Sequence, residues 1–571
     1  MLPIRIQINK RTLRMKLHYF LYMGGVASVQ GFAPTIAKQL GYSPMVVGSV
    51  FTYLSMLSFF VKPVVGIVVD KFRVKRIMFL AFVLLCGLTA FSLKFIHKIP
   101  TEAVANLSCG TTTVLNVCSN DDDRLSQCDD SLFKLIKNSA EPIECQLRCE
   151  QNESFRDEIY RSWNIVDHNN ININPNITYK NDEFEDLDVT LIIDATDQIK
   201  RNDVVFQVKS VHIMITQVAF PVCRRPVSTR CKIDCSNDVV MELASVQKFE
   251  GSVFGLHQFW KYLIVMSLFW ISQAITWSLQ DPICFDILDD KPEDFGKQRC
   301  WGSISWGIFS VFGGVLVDYF STSDYEKNYV PVYYLCLVII LWDFALAYKI
   351  EITETIGSKN TFSDVFKLIT NMNVIVYLIW IVVMGICTTM PWNYLFWYME
   401  DLTQKYHSDK QSWTKTLQGL AIGIQCIGGE LPLLFFSGWL IKRIGHTYCM
   451  ALGLFAFALR FYLYSVITNP IWILPVEFTN GITFGLCHAV LLAYARFIAP
   501  QSSATTVVAL SGALFEGIGT SIGGLVGGFM YQTYGGEMTF KLFAYGSLIM
   551  GILHVIFIKL NNRSINIETT K

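Results

Sequence analysis

Ionisable side chains stranded inside long apolar stretches are the places where this sequence could do chemistry. Lys62, Asp343, Glu430, Arg460, Glu477, His488 and Glu516 all lie in such stretches. A charge at the centre of a hydrocarbon layer costs about 3 kcal/mol or more, so each is a functional candidate. At about 1.5 Å per residue, Glu477 falls about 10 Å below one membrane surface and Glu516 about 20 Å above the other. In a hydrocarbon core about 30 Å thick those depths coincide, and the two carboxyl groups could face one another. Desolvated there, they would hold protons more tightly than in water and could load and release one, so Glu477 and Glu516 are the expected proton-coupling groups. Arg460 reaches the same level and offers a rival account, a structural Arg460–Glu477 ion pair. Lys62, beside Pro63, is expected to extend toward Asp70.

Catalysis has no comparable support. The sequence contains no phosphate-binding glycine loop and no nucleophile elbow. Cys145-Gln-Leu-Arg-Cys149 and Cys231-Lys-Ile-Asp-Cys235 have zinc-like spacing, but no histidine pair accompanies them, so disulfides are the better reading and no metal or cofactor is expected.

The elements that hold these groups are membrane spans. Of 571 residues 52% are hydrophobic and only 16% charged, against roughly a quarter charged in soluble domains. With 47 basic and 47 acidic residues the chain has no net pull toward nucleic acid. Apolar runs long enough to cross a bilayer appear in two sets of six. The first set is 17–37, 44–69, 76–98, 257–280, 299–320 and 331–350; the second is 373–397, 415–440, 447–468, 470–495, 503–531 and 541–559. The expected fold is an all-α membrane protein of twelve helices in two pseudo-symmetric six-helix bundles. Its expected parts are an amino-terminal segment 1–16, helices 1–3 in 17–99, a loop 100–255 and helices 4–6 in 256–350. A central linker 351–372, helices 7–12 in 373–559 and a tail 560–571 complete the chain.

Lysine and arginine cluster on one side, for example Lys71, Arg73, Lys75 and Arg76 after the second run and Lys442 and Arg443 after the eighth. By the positive-inside rule both termini are cytoplasmic and the loop 100–255 is extracellular or lumenal. The loop's own chemistry agrees. It holds Cys109, Cys118, Cys128, Cys145, Cys149, Cys223, Cys231 and Cys235, an even number suited to disulfides, and the glycosylation acceptors Asn106, Asn152 and Asn176. Strand-like patterns at 188–194 and 203–217 predict a small β-rich ectodomain. A plasma-membrane or endolysosomal multi-pass protein is expected.

Internal repetition supports the six-plus-six division. Gly66…Asp70, Gly314…Asp318, Gly438…Lys442 and Gly528…Gln532 each place a polar group four residues after a glycine, at the end of the second helix of a three-helix unit. The continuations Asp70-Lys71-Phe72-Arg73-Val74-Lys75-Arg76 and Lys442-Arg443-Ile444-Gly445-His446 resemble the loops between spans 2 and 3 and spans 8 and 9 of the major facilitator superfamily. Val74 and Lys442 depart from that pattern, where a small residue and an acid are usual. With Gln298-Arg299-Cys300-Trp301-Gly302-Ser303 at the entry to span 5, the long loop after span 3 and the run Trp392 to Asp401, the chain looks most like the animal group named major facilitator superfamily domain-containing protein six.

The resemblance implies that spans 1, 4, 7 and 10 line a central cavity. Gln30, Gln273, Trp277, Trp392, Asn393 and His488 would then line it, and aromatic planes with amides suit sugars or nucleosides. It implies further that Asp70 meets the start of span 11 at Ser502-Ser503, with Arg73, Arg76, Lys442 and Arg443 in the same gating loops. Trp397 reads either as lining or as an interface anchor, and Glu400 and Asp401 read as an outer cation-attracting rim or, by a small margin, as a solvated turn. The function expected is secondary transport of a small polar organic solute by alternating access, with protons as co-substrate. The alternative is a receptor or adaptor that acts through a protein ligand of the ectodomain.

Overall fold

The computed structural model describes residues 10–99, 102–119, 143–150, 153–163, 184–194, 199–200, 203–213, 216–246, 252–288, 295–322, 327–352, 372–406, 412–499 and 504–569. They form two compact units, one made of the membrane helices and the other of Ile99–Gly255.

Ten described stretches are long and apolar enough to cross a membrane. The last, Val507–Leu560, folds back at Gly535 (φ 74°, ψ 172°), a left-handed backbone that only glycine adopts freely, and so makes two crossings. The first helix, Lys10–Gln30, falls short of the others in hydropathy because of its four basic residues, and it brings the spans to twelve. It breaks at Gly31-Phe32 and resumes as Ala33–Gln39, with Pro34 in the first turn, where its missing N–H costs nothing. Span 2 is Pro44–Phe72, span 3 Lys75–Ser92, span 4 His257–Leu288, span 5 Phe295–Phe320 and span 6 Val330–Ala347. Span 7 is Met372–Tyr406, span 9 His446–Val466 and span 10 Pro470–Ile498. Span 8 (Thr414–Ile444) contains a π-helical turn, Ile424–Glu430. Span 10 contains another, Gly481–Leu486, and span 11, which starts at Ala504, a third, Leu514–Gly519. Within each half the helices pack span 1 on spans 5 and 6, span 3 on spans 4 and 6, and span 9 on span 12; between the halves span 2 packs on span 11 and span 5 on span 8.

The insert between spans 3 and 4 is a β-barrel. Its strands are β1 (Glu102–Cys109), β2 (Thr113–Ser119), β3 (Ile143–Glu150), β4 (Phe184–Asp194), β5 (Ile199–Lys200), β6 (Asp203–Ile213), β7 (Thr216–Ala219), β8 (Val227–Cys235) and β9 (Ser245–Val246). The antiparallel order β2-β1-β8-β3-β4-β6 closes when β6 pairs back with β2, which removes the free edges. On β3, Cys145, Leu147 and Cys149 point inward while Glu144, Gln146 and Arg148 are exposed, the alternation that a strand imposes. Opposed residues of β3 and β8 are bridged by Cys145–Cys235 and Cys149–Cys231, and Cys109–Cys223 ties the end of β1 to the β7–β8 connection. Cys118 is disulfide-bonded as well, and Cys128 lies outside the described residues. Asn106 sits half-buried within β1; Asn152 and Asn176 lie outside the described residues.

Candidate functional site

The helix bundle has two ends, one carrying the chain termini and the other carrying the long connection between spans 3 and 4. At this loop end the two halves are joined. Lys38, at the end of span 1, places Nζ 2.9 Å from Asp401 Oδ1 and 3.2 Å from Glu400 Oε2, both at the end of span 7. Glu400 is also bonded by Lys415 of span 8, and Asp401 accepts from Tyr531 OH of span 11 at 2.5 Å. Trp397 Nε1 donates to the Pro34 carbonyl at 2.7 Å, again from half to half. The expected solvated turn at Glu400-Asp401 is corrected by this lattice, and Trp397 belongs to the seal.

The repeat motifs explain the geometry of the closure. Asp318, at the end of span 5, accepts from the backbone N–H of Lys415 (3.3 Å) and Thr416 (2.6 Å) and from the Thr416 hydroxyl (2.8 Å), so it caps the first turn of span 8 in the other half. Gln532, at the end of span 11, accepts from the Met45 N–H at 3.2 Å in the first turn of span 2. The glycine four residues earlier permits each approach. A methyl group on Gly314 would collide with the Lys415 carbonyl, and one on Gly528 would lie 2.7 Å from the Pro44 carbonyl. The matching glycines at the terminus end, Gly66 and Gly438, have nothing among the described residues within 4 Å of the same position. Two pseudo-equivalent contacts are therefore packed, and the other two glycines have no such neighbour among the described residues.

Toward the middle of the bundle, charged groups from both halves converge. Lys62 of span 2 is bonded to Glu516 in the π turn of span 11, which corrects the expected reach toward Asp70. Arg299 Nη1 donates to Asp281 Oδ2 at 2.8 Å, and Tyr19 OH donates to Asp281 Oδ1 at 2.8 Å, all inside the first half. Arg299 also stands within electrostatic range of Glu430, Glu516 and His488 in the second half. Ser303 Oγ donates to Glu430 Oε1 at 3.3 Å across the halves. Beside Glu516 lies an aromatic group: Trp392 and Phe484 have ring centres 5.6 Å apart, and Phe515 and His488 each lie within 6.5 Å of Phe484. Trp392 is 46% exposed although it sits mid-helix.

Other expected lining groups are placed differently. Gln273 is buried with Nε2 unpartnered among the described residues, and Gln30 Oε1 and Trp277 Nε1 are likewise buried with no hydrogen bond among them. Such orphaned polar atoms are uncommon and mark a place where a polar solute would gain hydrogen bonds. Asn393 is buried. Glu477 does not face Glu516. It is fully buried among spans 8, 9 and 10, where it accepts from Arg460 Nη2 at 2.6 Å, Gln425 Nε2 at 2.5 Å and Tyr464 OH. Arg460 completes its own set with Tyr464 (2.7 Å), Asn480 (2.8 Å) and Thr483 (2.9 Å). Equal depth says nothing about the direction a side chain takes around its helix, which is why the expected pairing fails.

Of the gating residues, Arg73 is exposed and caps span 2 in a left-handed conformation (φ 54°), and Arg76 donates to the Tyr348 carbonyl at 2.9 Å within the first half. Lys442 and Arg443 are exposed, with Arg443 over the Trp439 ring. The Asp70 side chain, Ser502 and Ser503 lie outside the described residues. Sequence reading missed His18, whose Nδ1 lies 2.9 Å from Asp343 Oδ1 in a fully buried pair between spans 1 and 6. It also missed the loop-end lattice.

The fold has known counterparts. The crystal structure of the nucleoside transporter NupG aligns with 96% of this chain and all of its own, with a TM-score of 0.58 at 11% identity, a likeness of fold. Major facilitator superfamily domain-containing protein 6-like protein A of Xenopus laevis is 23% identical over 295 residues, 50% of this chain and 46% of that protein. A maltose permease of Geobacillus stearothermophilus is 26% identical over 151 residues, 26% of this chain and 38% of that one. The matched regions thus span less than half the length of these relatives. The pattern of the MFS_1 like family, in contrast, matches residues 12–542. This multi-pass membrane chain belongs to the MFS_1 like family of the major facilitator superfamily.

Proposed function

We propose that the chain is a secondary transporter that carries a small polar organic solute by alternating access, coupled to protons. The carrying observation is the asymmetry of the four repeat glycines. Gly314 and Gly528 are packed against the opposite half at the loop end, while Gly66 and Gly438 at the terminus end meet nothing among the described residues. A bundle built from inverted repeats that is closed at one end and open at the other is suited to rocking between two such states. Mid-bundle it offers polar and aromatic groups of the kind that hold a hydroxylated or amide-bearing solute: Gln30, Gln273, Trp277, Trp392 and His488. In the same reading the loop end faces the cell exterior or an organelle lumen and the termini face the cytoplasm. The coupling carboxylates are then drawn from Glu477, Glu516 and the acids around Arg299.

Uptake of a panel of sugars, nucleosides, amines and amino acids into proteoliposomes under an imposed pH gradient tests this. Accumulation of one class that depends on the gradient supports the reading; no movement of any solute overturns it. The receptor reading draws on one observation, the closed disulfide-bonded barrel with a core of its own. It requires that deleting charges at Asp281 or Arg299 leave function intact.

A further inference from the structure

Three carboxylates stand within spans 8, 10 and 11, and two are matched. Glu477 is bonded by Arg460 and Glu516 by Lys62. Glu430 differs: among the described residues its hydrogen bond comes from a neutral hydroxyl, Ser303 Oγ, at 3.3 Å and from the opposite half. The nearby guanidinium of Arg299 already donates Nη1 to Asp281 at 2.8 Å.

The site around Glu430 is built. It ends the π turn Ile424–Glu430, a departure from α-helix often found at functional positions. Span 10 pins its backbone, since a methyl group on Gly485 would lie 3.3 Å from the Glu430 carbonyl and one on Gly429 2.9 Å from the Gly481 nitrogen. The titratable groups facing it are few. Among the described residues, span 5 supplies Arg299 and span 8 itself Cys426. Around Arg299 the acids are Asp281, Glu430 and Glu516, and the bases Arg299, Lys62 and His488. With His488 uncharged this group carries one more negative charge than positive, and among the described residues the carboxylate without a cation in hydrogen-bonding contact is Glu430.

We propose that Glu430 is the proton-binding carboxyl of this protein. The assignment rests on the transporter reading for its coupling role. Glu430 takes one proton from water to become a neutral acid and gives it back to water; no other bond changes. Ionised, it accepts from Ser303 and attracts Arg299 across the gap between halves. Protonated, it becomes a donor and that attraction is lost, so loading a proton changes the force between spans 5 and 8.

Infrared difference spectra of the full-length protein in detergent, recorded across mildly acidic to mildly basic pH, test the assignment. The expected result is a protonated-carboxyl band that grows as pH falls and vanishes in Glu430→Gln. Glu477→Gln and Glu516→Gln should keep it. Glu430→Asp, which retains the carboxyl, should restore the band with a shifted midpoint, separating titration from misfolding. A band that survives Glu430→Gln, or that disappears in Glu516→Gln, overturns the proposal. Solute uptake is measured on the same preparations. A band that follows Glu430 in a protein that moves no solute supports the proton site and overturns the transporter reading instead.

Discussion

Asp318 Oδ2 accepts the backbone N–H of Thr416 at 2.6 Å, so the end of span 5 in one half caps the start of span 8 in the other. Asp318 is also paired with Lys327 Nζ at 3.2 Å, and both side chains are nearly buried. Replacing Asp318 with Ala removes a cap and leaves a buried lysine without its charge partner. The loop-end contact should weaken by about 3 kcal/mol. Asp318→Asn, which keeps the acceptor oxygen, should lose less. Distance distributions between spin labels at the loop ends of spans 5 and 8 read the opening directly, and an unchanged distribution in Asp318→Ala would count against the cap.

Gly314→Ala should be far more damaging to the present conformation than Gly438→Ala. The first forces a methyl into the Lys415 carbonyl, an overpacking cost of about 1–3 kcal/mol; the second meets nothing among the described residues. Thermal unfolding in detergent and loop-end label distances measure the difference. Equal effects at both glycines would mean that the ends are not in opposite states.

Arg460 and Glu477 form a buried ion pair between spans 9 and 10. With the two side chains 1% and 0% exposed, Arg460→Met leaves a buried carboxylate and should destabilise by about 3–5 kcal/mol. Arg460→Met with Glu477→Leu should recover much of that loss. A melting series of the two single variants and the double variant decides it, and a double variant as unstable as Arg460→Met alone would show that the charges are not coupled.

How far the sequence foretold these arrangements depends on the kind of information involved. Twelve spans were legible because hydropathy is local, and the four glycine motifs were legible because their spacing repeats. The seal was not. Lys38 and Asp401 are 363 residues apart in the chain, and Glu400-Asp401 at a helix end reads like any solvated turn until its partner is known. Glu477 and Glu516 show the same limit. Rise along a helix gives depth, but each residue turns the side chain by about 100°, so which neighbour it meets depends on packing. In the barrel, the four-residue spacing of Cys145 and Cys149 matches that of Cys231 and Cys235, yet only the antiparallel register makes Cys145 meet Cys235.

In the barrel unit, Glu158 accepts from the Arg224 and Arg225 backbone N–H groups at 3.0 and 3.1 Å and from Ser162 Oγ at 2.8 Å. The Ser162 hydroxyl, followed by these amides, holds its carboxyl below the usual range. A depressed folded-state value means that the contact is present above the ordinary carboxylate range and is lost as pH falls through the lowered value. Hydrogen exchange in 223–226 should therefore rise on acidification, and Glu158→Gln should show that raised exchange already at neutral pH. Exchange that is flat with pH in the parent would contradict this.

Alternating access is tested most directly by holding the loop end shut. With cysteines replacing Lys38 and Asp401 and joined by a short bifunctional cross-linker, proteoliposome uptake of whichever solute the parent accumulates should fall to background, while the uncross-linked variant retains a measurable rate. Uptake that continues at the parent rate with spans 1 and 7 joined would contradict transport by opening of that end.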